Sequence, residues 1–171
     1  MAILNPFNLK KWVDENRRLL KPPVGNKVVY KGNDDFMVMV VGGPNSRKDY
    51  HYNEGEELFF QLEGDIVLKI IEDGVFKDIN ICEGDMFLLP PKIPHLPKRG
   101  ANTIGLVIER YRKENELDGF LWFCEKCQEP LHQTFIPVSD IVTQLPIAMN
   151  EFYDSDQICC KKCGYKMDKP K

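Results

Sequence analysis

From Lys27 onward the chain alternates short apolar, β-branched and aromatic runs with turn-forming clusters. The runs are KVVY from Lys27, FMVMVV from Phe36, ELFFQL from Glu57, DIVLKIIE from Asp65, VFKDINI from Val75, MFLLP from Met86 and TIGLVIER from Thr103. Between them stand Lys31-Gly32-Asn33-Asp34, Gly42-Gly43-Pro44, Glu63-Gly64-Asp65, Asp73-Gly74 and Gly84-Asp85. Asp and Gly tolerate the left-handed backbone of tight turns, and Asp-Gly between two strands is a strong two-residue hairpin signal. Strands at this spacing, with no helix between them, predict an all-β jelly roll or small barrel.

The two ends read differently. LKKWVDENRRLL places Leu9, Trp12, Val13, Leu19 and Leu20 near helical period, with Asn8 as N-cap and Pro22-Pro23 as the stop. This N-terminal helix is expected to be packing material for the barrel or a subunit interface. After Glu109 a charged connection, RYRKENELDG, leads into FLWFCEKC, the β-like LHQTFIPV, a helical stretch from Ser139 and ICCKKCGYKMDKPK. The expected organisation is a barrel domain with its N-terminal helix over residues 1–118 and a small C-terminal metal-binding appendage over residues 119–171.

Composition narrows the function classes. A net charge of −3 gives no reason to expect nucleic acid or an anionic membrane as partner. MAILNPFNLKKW lacks the apolar stretch of an export signal, and the longest apolar runs are too short to span a bilayer. In such a chain six cysteines read as thiols and metal ligands rather than disulfides, and the expected location is cytoplasmic.

The candidate chemistry lies between Arg47 and Arg99. Two of the three histidines, His51 and His95, fall here, and Glu57 follows the first by six positions. Two neutral imidazoles and one carboxylate are the ligand set of a non-haem Fe(II) site with open positions. A histidine in a strand is more often a hydrogen-bonded core or surface residue, and Glu57, beside Glu54 and Glu56, could belong to a solvated turn. The spacing decides against both. His51, Glu57 and Gly64 stand where the first cupin motif has histidine, glutamate and glycine, with Asn53 in place of its second histidine. Gly84, Pro90 and His95 match the second motif, where Lys92 and Arg99 replace a glycine and an asparagine. On these residues the chain resembles the cupin superfamily, which implies a jelly-roll barrel with a metal inside. The missing histidine leaves coordination for substrate and dioxygen together.

Charged residues around these motifs point to an anionic ligand. Arg47 precedes His51, Arg99 follows His95, and Glu109 ends the apolar run TIGLVIE. A carboxylate there needs a partner or a polar lumen, and arginine's planar fork suits an organic carboxylate.

Taken end to end, VGGPNSRKDYHYNEGEELFFQLEGD, EGDMFLLPPKIPHLPKR, LVIER and the LDGF segment with its following Trp and Cys resemble the 3-hydroxyanthranilate 3,4-dioxygenase family. The likeness covers nearly the whole chain and is to the short single-cupin form of bacteria and fungi. It implies a homodimer that uses Fe(II) and O2 to open the ring of 3-hydroxyanthranilate. The product is 2-amino-3-carboxymuconate semialdehyde, which closes without the enzyme to quinolinate, a precursor of NAD. Carried over by position, His51, Glu57 and His95 are the iron ligands, and Arg47, Arg99 and Glu109 the substrate and oxygen contacts. Asn26 and Phe59 match further pocket residues. Arg99 is assigned to the substrate carboxylate, Glu109 to holding Arg99 and orienting the substrate's polar edge, and Arg47 to charge developing on oxygen. Competing readings are a cupin dioxygenase for a thiol or another aromatic acid, and a non-catalytic cupin that binds a small acid.

The tail carries two Cys-x-x-Cys pairs, Cys124/Cys127 and Cys160/Cys163. Four thiolates so spaced make a tetrahedral site for zinc or iron, and the resemblance implies a rubredoxin-like iron site apart from catalysis. Cys159 competes with Cys160 for the register, which the spacing to Cys163 assigns to Cys160. Cys82 is expected to be a buried small hydrophobe and His132 no ligand.

Overall fold

The computed structural model describes residues 5–22, 25–30, 35–138 and 141–170. Pro23, the 31–34 turn and Ser139 lie outside them. Asn8 Oδ1 accepts the Lys11 backbone N–H at 2.9 Å, capping α1 (Leu9–Asn16), which runs on into a 3₁₀ turn, Arg17–Leu19. The strands are β1 (Asn26–Val28), β2 (Phe36–Gly42), β3 (Tyr50–Tyr52), β4 (Glu57–Glu63), β5 (Ile66–Glu72) and β6 (Val75–Ile81). They continue as β7 (Met86–Leu89), β8 (His95–Arg99), β9 (Ile104–Arg110), β10 (Asp118–Phe123) and β11 (Pro130–Ile136), before α2 (Ile141–Tyr153).

One sheet has the order β1-β2-β9-β4-β7 and the other β11-β10-β3-β8-β5-β6, with antiparallel pairing throughout. Met39, Phe59, Val107 and Leu89 of the first meet Ile66, Leu68, Ile70 and Ile81 of the second in one buried cluster. The core therefore sits between two antiparallel sheets, a jelly-roll arrangement. Asp73 and Gly74, at φ 51° and 74°, form the two-residue turn that sets Glu72 opposite Val75.

The short β3 and β8 did not stand out as apolar runs. Their residues, Tyr-His-Tyr and His-Leu-Pro-Lys-Arg, bury polar side chains (His51, His95 and Arg99), so alternation of apolar and polar side chains fails as a signal there. The expected boundary at Gly119 falls inside β10, which pairs with β3 and so belongs to the barrel sheet. β11 pairs in turn with β10. The parts beyond the sheet are α2 and the cysteine tail, joined to it through a second core of Phe120, Trp122, Phe152, Tyr153 and Met167. His132 stacks on Phe152 at 5.8 Å within this layer. Cys82 is exposed beyond the end of β6, correcting the buried reading; period-two alternation from the buried Ile81 turns it to solvent.

The N-terminal helix packs as expected. Val13 and Leu20 cover Val40 and Ile104 on the outer face of the five-stranded sheet. A Cβ on Gly42 would lie 2.1 Å from the Leu20 carbonyl oxygen, so only glycine lets the helix end settle on β2.

Leu68 is fully buried at the centre of the barrel core. Leu68→Ala should cost about 2–5 kcal/mol of stability, read as a lower urea midpoint at unchanged slope. A loss under about 1 kcal/mol would mean that the site is not close-packed.

Candidate active site

Three strands bring the metal-ligand candidates together. His51 in β3 pairs directly with His95 at the start of β8, and Glu57 opens β4 opposite Glu109 of β9. Glu57 Oε1 lies 3.6 Å from His51 Nδ1 and 3.3 Å from His95 Nε2. All three residues are buried, and their donor atoms lie within 4.8 Å of one another. Ligands on one face of an octahedral metal, about 2.1 Å from it, stand about 3 Å apart. The donor set therefore fits a single metal ion.

Each donor is oriented from behind. His95 Nδ1 lies 3.0 Å from the Ile93 carbonyl, which makes Nδ1 the protonated nitrogen and turns Nε2 toward Glu57. His51 Nε2 lies 2.7 Å from Asp118 Oδ2. Burial presses the His51 imidazole's pKa down, but the Asp118 and Glu57 carboxylates outweigh it and lift it to about 9. Asn53, in the place of the absent histidine, donates from Nδ2 to Glu57 Oε1 at 2.6 Å and to Glu109 Oε2 at 3.4 Å. Its Oδ1 accepts the Gly55 N–H at 3.0 Å, which fixes the amide's orientation. Phe59 sets its ring edge to His95 at 6.2 Å, and Phe120 stacks on His51 at 5.5 Å. These rings give the site apolar walls.

Glu109 has a different cation from the expected one. Its Oε2 bonds Arg112 Nη1, and Arg112 also forks onto Asp118 through Nε at 2.8 Å and Nη2 at 2.6 Å. Strand register is the reason: Glu109 shares its tier with Glu57, whereas Arg99 reaches the tier of Gln61 and Gly105. Burial and the Glu57 charge raise the Glu109 pKa above the ordinary carboxylate value, against the pull of Arg112.

Arg99 is 4% exposed and faces no carboxylate among the described residues. Its Nη1 donates to Gln61 Oε1 at 3.3 Å, and its Nε has no partner. Burial lowers its pKa to about 10, which leaves the guanidinium cationic at neutral pH. Arg47 instead forks onto the fully buried Asp49, its Nε 3.1 Å from Oδ1, and the Glu57 charge also favours its protonated form. Asn26 opens β1 opposite Val41, itself opposite Gly105, and so lies in the Arg99 tier of the sheet.

Asp118, Arg112 and Gln61 were missed in the sequence. Asp118 at the head of the apolar FLWF strand was the available signal. Arg112 lay in a charged run that looked like solvated connection.

The four cysteines form a second cluster. Cys124 Sγ is 3.5 Å from Cys163 Sγ, and Cys127 Sγ is 3.6 Å from Cys160 Sγ. Sulfurs about 2.3 Å from a tetrahedral metal stand about 3.8 Å apart, so the cluster has the size of a thiolate site. The two halves repeat one backbone pattern. Gln128 N–H donates to the Cys124 carbonyl at 2.8 Å and Gly164 N–H to the Cys160 carbonyl at 2.9 Å. Both of these residues have positive φ, 61° and 72°. Cys159 is exposed and bridges to Lys166 through its backbone, outside the cluster.

The whole chain has relatives. It is 51% identical over 164 residues to the 3-hydroxyanthranilate 3,4-dioxygenase of Xanthomonas euvesicatoria, covering 95% of this chain and 92% of that one. The enzymes of the same name from Neurospora crassa and Bacillus thuringiensis are 47% and 45% identical, each over 96% of this chain and 91% and 92% of theirs. Among solved structures, a cupin-2 domain protein from Shewanella frigidimarina superposes with a TM-score of 0.47 at 18% identity, covering 57% of this chain and 91% of that one. The 3-hydroxyanthranilic acid dioxygenase family matches residues 1–153. The chain, alike from its N-terminal helix through the barrel strands that hold the two histidines and the glutamate, belongs to the 3-hydroxyanthranilic acid dioxygenase family.

Proposed function

We propose that this protein is a ring-cleaving dioxygenase that converts 3-hydroxyanthranilate and O2 to 2-amino-3-carboxymuconate semialdehyde, the precursor of quinolinate and NAD. One observation carries the choice of substrate: a buried guanidinium, Arg99, lacks an anion of its own and lies on the same face of β8 as His95 of the two-histidine, one-glutamate set. An aromatic acid with vicinal hydroxyl and amino groups presents a carboxylate to the first and a chelating edge to the second. A neutral substrate would leave Arg99 buried and unpaired, an expensive arrangement.

The metal at His51, Glu57 and His95 is assigned as Fe(II), which supplies open coordination positions and the electrons that activate dioxygen. The protein's own residues do the positioning. Arg99 binds the ring carboxylate. Glu109 has Oε2 engaged by Arg112 and Asn53, leaving Oε1 to meet the substrate's polar edge. Its raised pKa suits it to hold a proton released there. Arg47, fixed by Asp49, offers Nη1 to negative charge developing on oxygen. Phe59 and Phe120 keep water from the metal face, and Asn26 closes the Arg99 end.

The cysteine site is assigned a structural iron, with zinc as the alternative. Four thiolates require a reducing compartment, which supports a cytoplasmic location. A homodimer is supported by the outer face of the five-stranded sheet, where Phe36, Met86 and Leu88 are about half exposed or more.

Anaerobic loading with Fe(II), followed by 3-hydroxyanthranilate and oxygen, tests the reading through oxygen uptake and the absorbance of the opened ring. His51→Ala and Glu57→Ala should each lose one iron equivalent and all turnover. Arg99→Ala should keep its iron and raise KM about 100-fold. Turnover by the His51 variant would remove the triad from the mechanism.

For the tail, Cys160→Ser should lose one metal equivalent and melt earlier, whereas Cys159→Ser should match the unaltered protein in both. The reverse result would move the register to Cys159.

A further inference from the structure

Arg99 crosses the lumen to a position that has no side chain. A Cβ on Gly105 would stand 2.8 Å from Arg99 Nη1 and 2.7 Å from Gln61 Oε1, so the glycine leaves the slot in which the two groups meet. Gln61 is 1% exposed and lies opposite Gly105 in the β4–β9 ladder. Both ends of its amide are used. Nε2 donates to the Glu63 carbonyl at 2.9 Å, which turns Oε1 toward Arg99. The ladder's irregularity falls between Gln61 and Glu63, at the turn this bond spans.

Buried guanidinium groups are ordinarily matched by a carboxylate. The partly buried guanidinium groups of this barrel are so matched: Arg47 has Asp49, and Arg112 has Glu109 and Asp118. Only Arg99 of these is held by a neutral amide. An amide oxygen aims a guanidinium through one hydrogen bond without neutralising it, whereas a carboxylate would close an ion pair.

We propose that Gln61, in the slot left by Gly105, is a positioning residue that selects for charge. It aims Arg99 into the lumen, and its own neutrality reserves the positive charge for the carboxylate of an arriving aromatic acid. The inference rests on the reading of Arg99 given above and adds the residue that keeps it available.

The test is Gln61→Glu, nearly isosteric, in the full-length iron-loaded protein. Calorimetric titration without oxygen compares 3-hydroxyanthranilate with 2-aminophenol, which keeps the vicinal hydroxyl and amine and lacks the carboxylate. The variant should bind 3-hydroxyanthranilate about 100-fold more weakly, bind 2-aminophenol as the unaltered protein does, and retain its iron. Unchanged affinity for 3-hydroxyanthranilate would overturn the proposal, as would an equal loss for both ligands, which signals general damage to the pocket. Should the carboxylate variant not fold, Gln61→Met removes the acceptor without adding charge. It should weaken 3-hydroxyanthranilate alone, by about tenfold, and no loss would equally overturn the proposal. An unaltered protein that does not prefer 3-hydroxyanthranilate to 2-aminophenol would instead overturn the carboxylate role of Arg99, and this inference with it.

Discussion

Ionised groups inside an apolar barrel are costly unless each is answered, and this constraint orders the interior. Asp49, Glu57, Glu109, Asp118 and Arg99 are all at most 5% exposed. Arg47 answers Asp49, and Arg112 answers both Glu109 and Asp118. Among the described residues two places remain unmatched by charge of fixed sign: the face of Glu57 between two imidazoles, and the guanidinium of Arg99. A metal cation suits the first and an organic anion the second.

The separation of these two places follows from the period of a strand. Inward positions recur every second residue, so β4 and β9 face each other as Glu57/Glu109, Phe59/Val107 and Gln61/Gly105. The result is a polar metal tier, an apolar middle and a cationic tier at the far end. β8 repeats the order with His95 and Arg99, four residues or about 13 Å of strand apart. Arg99 keeps its guanidinium in that far tier, against Gly105 and Gln61.

The cysteine tail is tied into the same framework. β10 carries Asp118 behind His51, sets Phe120 opposite it, and runs directly into the first cysteine knuckle. Lys48 pairs with Glu125 at 2.8 Å, joining that knuckle to the segment that leads into β3. Tyr50 and Phe123 meet edge to face at 5.6 Å across the same pair of strands. A metal held by the four sulfurs would thus fasten one end of the strand that backs His51.

By itself the sequence determined the strand runs, the capped N-terminal helix, the three metal-ligand candidates and the four-cysteine set. Those features depend on local periodicity, turn chemistry or short fixed spacings, which survive in one dimension. It also singled out Arg47, Arg99 and Glu109, since charges beside apolar strands are conspicuous. Only the tertiary structure decided their partners. Arg112 took Glu109, Gln61 took Arg99, and Asp118 reached His51 from the end of a segment that read as a charged connection. Such pairings depend on strand register across the barrel, which has no signature along the chain; Gly105 inside its apolar run marks a close approach but not the group that fills it.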